Sequence, residues 1–536
     1  MWKNFFCRIR EKDTGVRTIS SAAFLIACFG LASRILGLLR DRLLASRFGA
    51  GDELDIYYAA FKVPDLIFNF LILGTLSAAF VPVFTALISQ EKKNKAWILA
   101  NKILSFALVI LIFVSLVLFF FSPELINLIT PGFSSEKKVA TVGLTRIMLL
   151  SPVILGISGI LGGILTSFKR FFFYSLAPVF YNFGIIIGIL FFSRFWGLSG
   201  LAWGVILGAF FHFLTQLSEV FRCGWVWRWD LNYQDENLKK VFRLIIPRTL
   251  GLAATQINLL ITTILASTLK AGSLAVFNLA NNIQSVPLGM FGISFAVAAF
   301  PTLAGCWARE DKKEFKNNFS KTFNSIIFFT IPFSVIFIVL RAQIVRVVLG
   351  AGKFDWEDTI LTFSALGIFS LSLFAQTTIP LLARSFYAIQ DTKTPFLVGL
   401  FSEIVNLFLA VFLIKNYQLL GLVWAYSLSV ILNMFLLLTI LRYRAGDLGE
   451  KEIVPFVWKV ALASLGMAGV MQITKYGVSF LVQMDTFWGV FIQATSALLL
   501  GGGTFLSIAL VLKLEKAEKV FSQFKLLCRF TRGGFN

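Results

Sequence analysis

Arginine and lysine inside apolar helices are unfavourable enough that each one marks a place where the chain needs charge. The first apolar stretch carries Arg34, Arg40 and Asp41, the second Asp55, Lys62 and Asp65, and the seventh Arg248. At helical spacing Arg34, Gly37 and Asp41 share a face, and Arg40 points elsewhere. Asp55 and Lys62 share another face, and Lys62 stands one turn from Asp65 beside Pro64, which should kink the helix. Near helix ends, as at Arg40, Arg42 and Asp55, such groups can simply pair or reach the interface. Arg34, Lys62 and Arg248 point instead to a water-filled cationic cavity. That cavity would select anions, and arginine in particular suits phosphate.

Amides, a hydroxyl and one carboxylate form a second set. Gln256 and Asn258 lie in the seventh stretch, Asn281, Asn282, Gln284 and Ser285 in the eighth before Pro287, and Glu403 and Asn406 in the eleventh. They can hold helices together or touch substrate. Glu403 and Asn406, three residues apart, could bind a cation or close a hydrogen bond. The lone histidine, His212, reads as a packed helix residue.

No constellation for an enzyme is present in the sequence. There is no GxxxxGK[ST] phosphate loop, no HExxH and no carboxylate-rich loop, and the five cysteines show no CxxC pair. Neither catalytic residues nor a metal site are expected, and no cofactor beyond a coupling ion. Work must come from an ion gradient, the membrane potential or the substrate's own gradient.

The elements that must position these residues are membrane helices. Of 536 residues, 57% are hydrophobic and 14% charged, with mean hydropathy +0.81, so lipid is the solvent for most of the chain. Apolar stretches fall at 18–47, 55–88, 95–122, 138–168, 173–194, 197–222, 239–269, 272–305, 316–341, 358–388, 394–414, 418–443, 453–478 and 486–513. This gives about fourteen transmembrane helices, since each needs roughly 20 apolar residues. Runs such as Ile103 to Phe121 are apolar on every side, which excludes the alternating strands of a β-barrel. A continuous helix past Arg34 and a long charged leader argue against a cleaved signal peptide.

The net charge of +21 is spread over alternate loops rather than one face, so it sets orientation and does not indicate nucleic acid. Basic residues crowd the N-terminal segment, the loops at Lys92/Lys93/Lys95, Lys169/Arg170, Arg222 to Arg243, Arg309 to Lys316 and Arg442 to Lys451, and the tail from Lys513. Both termini are therefore expected in the cytoplasm. The tail mixes this charge with Val520, Phe521, Phe524, Leu526 and Leu527, as a helix on an anionic leaflet would.

The chain also repeats itself. Arg34-Ile-Leu-Gly37 returns as Arg248-Thr-Leu-Gly251, Ala78-Ala-Phe-Val-Pro82 as Ala298-Ala-Phe-Pro301, Ser167-Phe168 as Ser385-Phe386, and Gly200-Leu-Ala-Trp203 as Gly421-Leu-Val-Trp424. Six helices per unit is an even number, so the repeats are parallel, with a pseudo-twofold along the membrane normal and a working cavity between two lobes. The expected organisation is an N-terminal segment 1–17, an N-lobe 18–222, a linker 223–238, a C-lobe 239–443, two further helices within 444–513 and a basic tail 514–536.

Ser33-Arg34-Ile-Leu-Gly37-Leu-Leu-Arg40-Asp41, Phe48-Gly-Ala-Gly51, Asp55 and Phe61-Lys-Val-Pro64 resemble the opening of the MurJ (MviN) family of lipid II flippases. Thr255-Gln-Ile-Asn258, Ala298-Ala-Phe-Pro301 and, most specifically, Arg384-Ser-Phe-Tyr387-Ala-Ile-Gln-Asp391-Thr-Lys-Thr394-Pro395 extend the resemblance through most of the chain. The family belongs to the multidrug/oligosaccharidyl-lipid/polysaccharide exporter superfamily, with two six-helix lobes and two extra helices. The resemblance implies movement of an undecaprenyl-pyrophosphate-linked peptidoglycan precursor from inner to outer leaflet of the bacterial cytoplasmic membrane by alternating access. Its lipid tail would lie along a groove at spans 13 and 14, and partners would be membrane lipids and cell wall synthesis proteins.

By position Arg34 and Arg40 match the family's span-1 arginines, and Asp55 its acid before span 2. Where the family pattern has arginine and glutamate, this chain has Phe68 and Leu73 in span 2 and Asn282 and Ser285 in span 8. Arg248 is placed to supply part of the missing positive charge.

A flippase for another lipid-linked oligosaccharide would use the same lobes. A multidrug or cation exporter would favour acids in the cavity, and a membrane glycosyltransferase would need an acidic residue on a substantial outer loop. A structural scaffold would tolerate loss of Arg34. One chain contains both lobes, so a monomer suffices.

Overall fold

In hydrocarbon the backbone must satisfy its own hydrogen bonds, and every element among the described residues is a helix. The computed structural model describes residues 19–70 and 76–518, with side chains described outside 19–24, 76–78, 244–255 and 257. The segment 1–17, Leu73, the Arg248 side chain and the tail beyond 518 lie outside the described residues.

The chain divides into two compact units, Met1–Ala275 and Val276–Asn536. The first begins with α1 (Ile19–Phe48), α2 (Asp52–Phe68), α3 (Leu76–Ser89), α4 (Lys93–Phe120), α5 (Ser122–Ile129), α6 (Ser135–Met148) and α7 (Leu150–Ser167). α8 (Phe171–Ile187) continues through a widened turn, Gly188–Phe192, into α9 (Ser193–Trp196). Next come α10 (Leu198–Arg222), α11 (Glu236–Ser267) and α12 (Ser273–Pro287), whose first residues still belong to this unit.

The second unit holds α13 (Ser294–Ala308), α14 (Lys312–Val339), α15 (Arg341–Val348), α16 (Trp356–Leu371), α17 (Leu373–Ala388), α18 (Lys393–Ala445), α19 (Glu450–Ser479) and α20 (Phe487–Val511). α18 contains two expected spans, because the backbone breaks at Gln418. The units part at 275/276 rather than within 223–238, since α11 packs on α3 and α5 of the first unit.

Nine helices among the described residues are long and apolar enough to cross a membrane, and the bent pair α16 and α17 makes a tenth. The expected first, second and seventh spans, which carry Arg34, Arg40, Asp55, Lys62 and Arg248, include residues outside the described ones. Helix starts are fixed locally. Ser134, Asp235, Asp311, Asp355 and Thr486 each accept backbone N–H groups from the first turn that follows.

Within the first unit α8 and α10 meet along a seam of glycines. A Cβ on Gly184 would stand 2.3 Å from the Gly208 Cα, and one on Gly204 would stand 2.6 Å from the Gly188 Cα. Small residues four apart on both helices let the backbones touch, which replaces the hydrophobic drive that lipid cannot supply. In the second unit α19 and α20 pack on α14 through Phe328, Val460, Met467, Ala497 and Phe505.

The repeat is also written in the backbone. Positive φ recurs at Gly49 and Gly272, Glu91 and Glu310, Lys169 and Gln390, Gly197 and Gln418, and Gly224 and Gly446. Each pair is separated by about 220 residues, the offset of the sequence repeat. At one of these corners Gly197 has φ 52°, ψ −131° and Gln418 has φ 48°, ψ −126°, a conformation that suits glycine alone. Gln418 is exposed and has little packing to lose. Gln418→Gly should therefore stabilise the protein by about 1 kcal/mol, read as a higher melting midpoint in detergent. A lower midpoint would show that the side chain outweighs the strain.

Candidate functional site

α1 presents Ser33, Gly37 and Arg40 to Asn182 of α8. Asn182 Nδ2 donates to Ser33 O at 3.2 Å and Ser33 Oγ at 3.1 Å, and its Oδ1 accepts from Arg40 Nη1 at 3.1 Å. Gly37 lies against the same group, since a Cβ there would stand in ordinary contact with Asn182 Oδ1 at 3.9 Å. Asn182 Nδ2 also donates to Pro178 O at 3.2 Å, one turn back, where proline withdraws a backbone donor from the helix.

Arg40 donates through Nε and Nη2 to Asp41 Oδ1 at 3.1 and 2.9 Å. Spacing places Asp41 with Arg34 and turns Arg40 away; the structure instead pairs Arg40 with Asp41. Long side chains wrap further around a helix than the Cα positions suggest.

Around this knot stand Tyr57, Tyr58, Lys62 and Asp65 of α2 and Tyr181 of α8, all close enough to interact electrostatically with Arg40 or with Asp65. Asp65 is exposed and Lys62 half-buried, although Val63, Pro64 and Ile67 beside them are buried. Lys62 has Asp65 as its electrostatic neighbour. The first unit thus brings Arg40 and Lys62 near one another, with Asp41 and Asp65 beside them. Two cations and two acids leave the cluster itself near neutral. Arg34, half-buried farther back on α1, adds positive charge.

Asp55 lies elsewhere. It is 2% exposed and accepts from Lys137 Nζ at 2.9 Å and from the backbone N–H groups of Gly272 and Ala275, both at 2.8 Å. These are the orphan donors at the start of α12, and a carboxylate there also complements the helix dipole. Lys137 reaches Asp52 as well, at 2.6 Å, and lies over the Phe133 ring. Gly272 has φ 86°, and a Cβ on it would collide with Ala50 O at 1.7 Å. Asp55 is therefore fully engaged by the protein itself and holds a turn in place.

Of the remaining candidates in the first unit, Gln256 is buried and accepts from Asn69 Nδ2 at 3.4 Å, and Asn258 accepts from Thr262 at 3.4 Å. Phe68, in place of a charged residue, packs on the buried core of α2, α3 and α4. His212 is hydrogen-bonded to Ser158 Oγ at 2.7 Å.

In the second unit Asn282 and Ser285 are half-buried, and Ser285 Oγ donates back to Asn282 O. Behind them Gln284 donates to Asn281 and accepts from Gln376, which also donates to Ser372. Tyr426 extends this buried chain and has Glu403 as its electrostatic neighbour. Asn406 is buried one turn further along α18.

Asn182 and the tyrosines are functional candidates that spacing alone misses. Asn182 was visible in principle, as an amide one turn after proline in an otherwise apolar run.

Helical units of this composition, with charge confined to a few spans, define a polytopic transporter. A solved inward-facing multidrug resistance MATE family transporter of the MOP superfamily has the same fold. It aligns with TM-score 0.67 and 18% identity over 78% of this chain and 96% of that one. A solved lipid II flippase MurJ in an inward closed conformation aligns with TM-score 0.76 and 24% identity over 91% and 98%. The probable lipid II flippase MurJ of Buchnera aphidicola subsp. Acyrthosiphon pisum is 29% identical over 85% of this chain and 90% of its own length. The family model for lipid II flippase MurJ matches residues 44–492, and the chain belongs to that family.

The engaged state of Asp55 is testable. Asp55→Asn removes the charge that answers Lys137 and should cost on the order of 3 kcal/mol, read as a lower melting midpoint. Lys137→Met should also destabilise, and the double variant should lose less than the sum of the two. Additive losses would show that the pair is not coupled.

Proposed function

We propose that this chain moves lipid II from the inner to the outer leaflet of the bacterial cytoplasmic membrane by alternating access, supplying precursor for cell wall synthesis. The observation that carries this reading is the match of the lipid II flippase family model across residues 44–492. The charge pattern supports it chemically. A pyrophosphate needs donors in a low-dielectric setting, and Arg34, Arg40 and Lys62 supply them on the first two spans. Asp41 and Asp65 keep the cluster from holding the anion too tightly to release it. Arg248 contributes further positive charge where family members have charged groups at the positions of Phe68, Asn282 and Ser285.

The remaining features follow the same reading. Both termini face the cytoplasm, in keeping with the basic loops. The lipid tail lies along the two C-terminal spans. An ion gradient or the membrane potential supplies the work without ATP, with Glu403 and Asn406 the candidates for a coupling ion, and the working form is a monomer.

Complementation tests the proposal. Cells depleted of their own lipid II flippase should survive and expose precursor at the surface when they express this chain. Arg34→Ala should abolish rescue at unchanged membrane abundance. A correctly inserted wild-type protein that rescues neither survival nor surface exposure would overturn the lipid II assignment.

A further inference from the structure

The connection between spans 6 and 7 reads Cys223-Gly-Trp225-Val-Trp227-Arg228-Trp229-Asp230-Leu231-Asn-Tyr233, with tryptophan at every second position. It forms no helix, and an extended chain places alternate residues on one side. The rings accordingly form a row, with centroids 5.8 Å apart for Trp225 and Trp227 and 6.2 Å apart for Trp227 and Trp229.

The strap is fastened to α4 by polar groups that are themselves buried. Trp225 Nε1 donates to Asn101 Oδ1 at 2.8 Å, and Asn101 Nδ2 donates to Val226 O at 3.0 Å. Asp230 N donates to Ser105 Oγ at 3.1 Å, and Lys102 Nζ pairs with Asp235 at 2.9 Å. Asn101, Lys102 and Ser105 are 5%, 7% and 0% exposed. They stand at the edge of the apolar run that begins at Ile103, about 12 Å up the helix from Lys93. This holds the strap beside the start of the apolar run of that span.

Only the first ring of the row is buried. Trp227, Trp229 and Tyr233 are 41%, 54% and 58% exposed, and Val226 and Leu231 are exposed beside them. Tryptophan and tyrosine favour the membrane interface, where one end of the ring is apolar and the other wet. Across 221–243 the exposed charged groups are Arg222, Arg228, Lys239, Lys240 and Arg243 against Glu236, because Asp230 and Asp235 both face Lys102. Arg228 makes no hydrogen bond or ion pair among the described residues.

We propose that this strap is a lipid-binding surface that seats Trp227, Trp229 and Tyr233 in the inner leaflet and gathers anionic headgroups at Arg228, Lys239 and Lys240. The assignment to the inner leaflet rests on the orientation proposed above. Each basic side chain near an anionic surface enriches it roughly fivefold, so three of them on a fixed platform give a clear preference. Because the strap is the connection between spans 6 and 7, its grip on lipid makes that connection responsive to leaflet composition.

The test uses the full chain in nanodiscs of equal parts phosphatidylglycerol and phosphatidylcholine, with bromine on the acyl chains of one lipid or the other. Subtracting the emission of a Trp227→Phe/Trp229→Phe variant from that of the wild type isolates the two exposed rings. Brominated phosphatidylglycerol should quench this difference at least twice as strongly as brominated phosphatidylcholine. Arg228→Ala/Lys239→Ala/Lys240→Ala should bring the two to equality. The proposal is overturned if the wild-type difference is quenched equally by both lipids, or by aqueous iodide and neither lipid. If the double variant fails to fold, the single Trp227→Phe and Trp229→Phe differences give the same reading. Discs expose both faces, so failure here counts against the strap and leaves the orientation and the transport reading untouched.

Discussion

A guanidinium or carboxylate taken into hydrocarbon has to be answered by the protein, and much of this structure is arranged around that requirement. The first two spans carry Arg34, Arg40, Asp41, Asp55, Lys62 and Asp65, and these groups depend on their neighbours for an environment. Arg40 obtains one from Asp41 and from Asn182, which in turn is held by Ser33 and by the Pro178 carbonyl. Asp55 obtains one from Lys137 and from the first turn of a later helix. Lys62 and Asp65 obtain theirs from one another and from Arg40.

Two kinds of charge emerge from this. Asp55 and Asp41 have defined protein partners and fix geometry, and Lys62 has Asp65 as its electrostatic neighbour. A substrate anion would then meet a site whose acids set the strength of attraction as much as its bases do.

Much of the architecture was legible because lipid simplifies the code. Runs of about 20 apolar residues can only be helices, and the expected stretches fall on helices throughout the described residues. The repeat was legible as well, and the recurring left-handed corners give it a physical basis: loop geometry persists where side chains have diverged. Gln418 standing where the first repeat has Gly197 shows the shape outlasting the residue best suited to it. The site was read only in part. Spacing set Lys62 one turn from Asp65, yet it could not show that Arg40 turns to its own neighbour or that Asp55 caps a helix 217 residues away. Those contacts depend on side-chain reach and on tertiary approach, neither of which has a local signature. Asn182 carries a local mark, an amide one turn after proline, but its partners on α1 do not show in the spacing.

The glycine seam between α8 and α10 limits how any amphipathic cargo can travel. Where two backbones touch, no methylene fits between them, and this seam as it stands is closed to an acyl chain. The two helices should also move as a single strut, since sliding either would drive main-chain atoms into each other. A route for a long hydrocarbon tail and a hinge for the motion must therefore both lie elsewhere. The widened helical turn at Leu288–Ile293, with its two glycines, is the kind of place where a helix can bend without losing its hydrogen bonds.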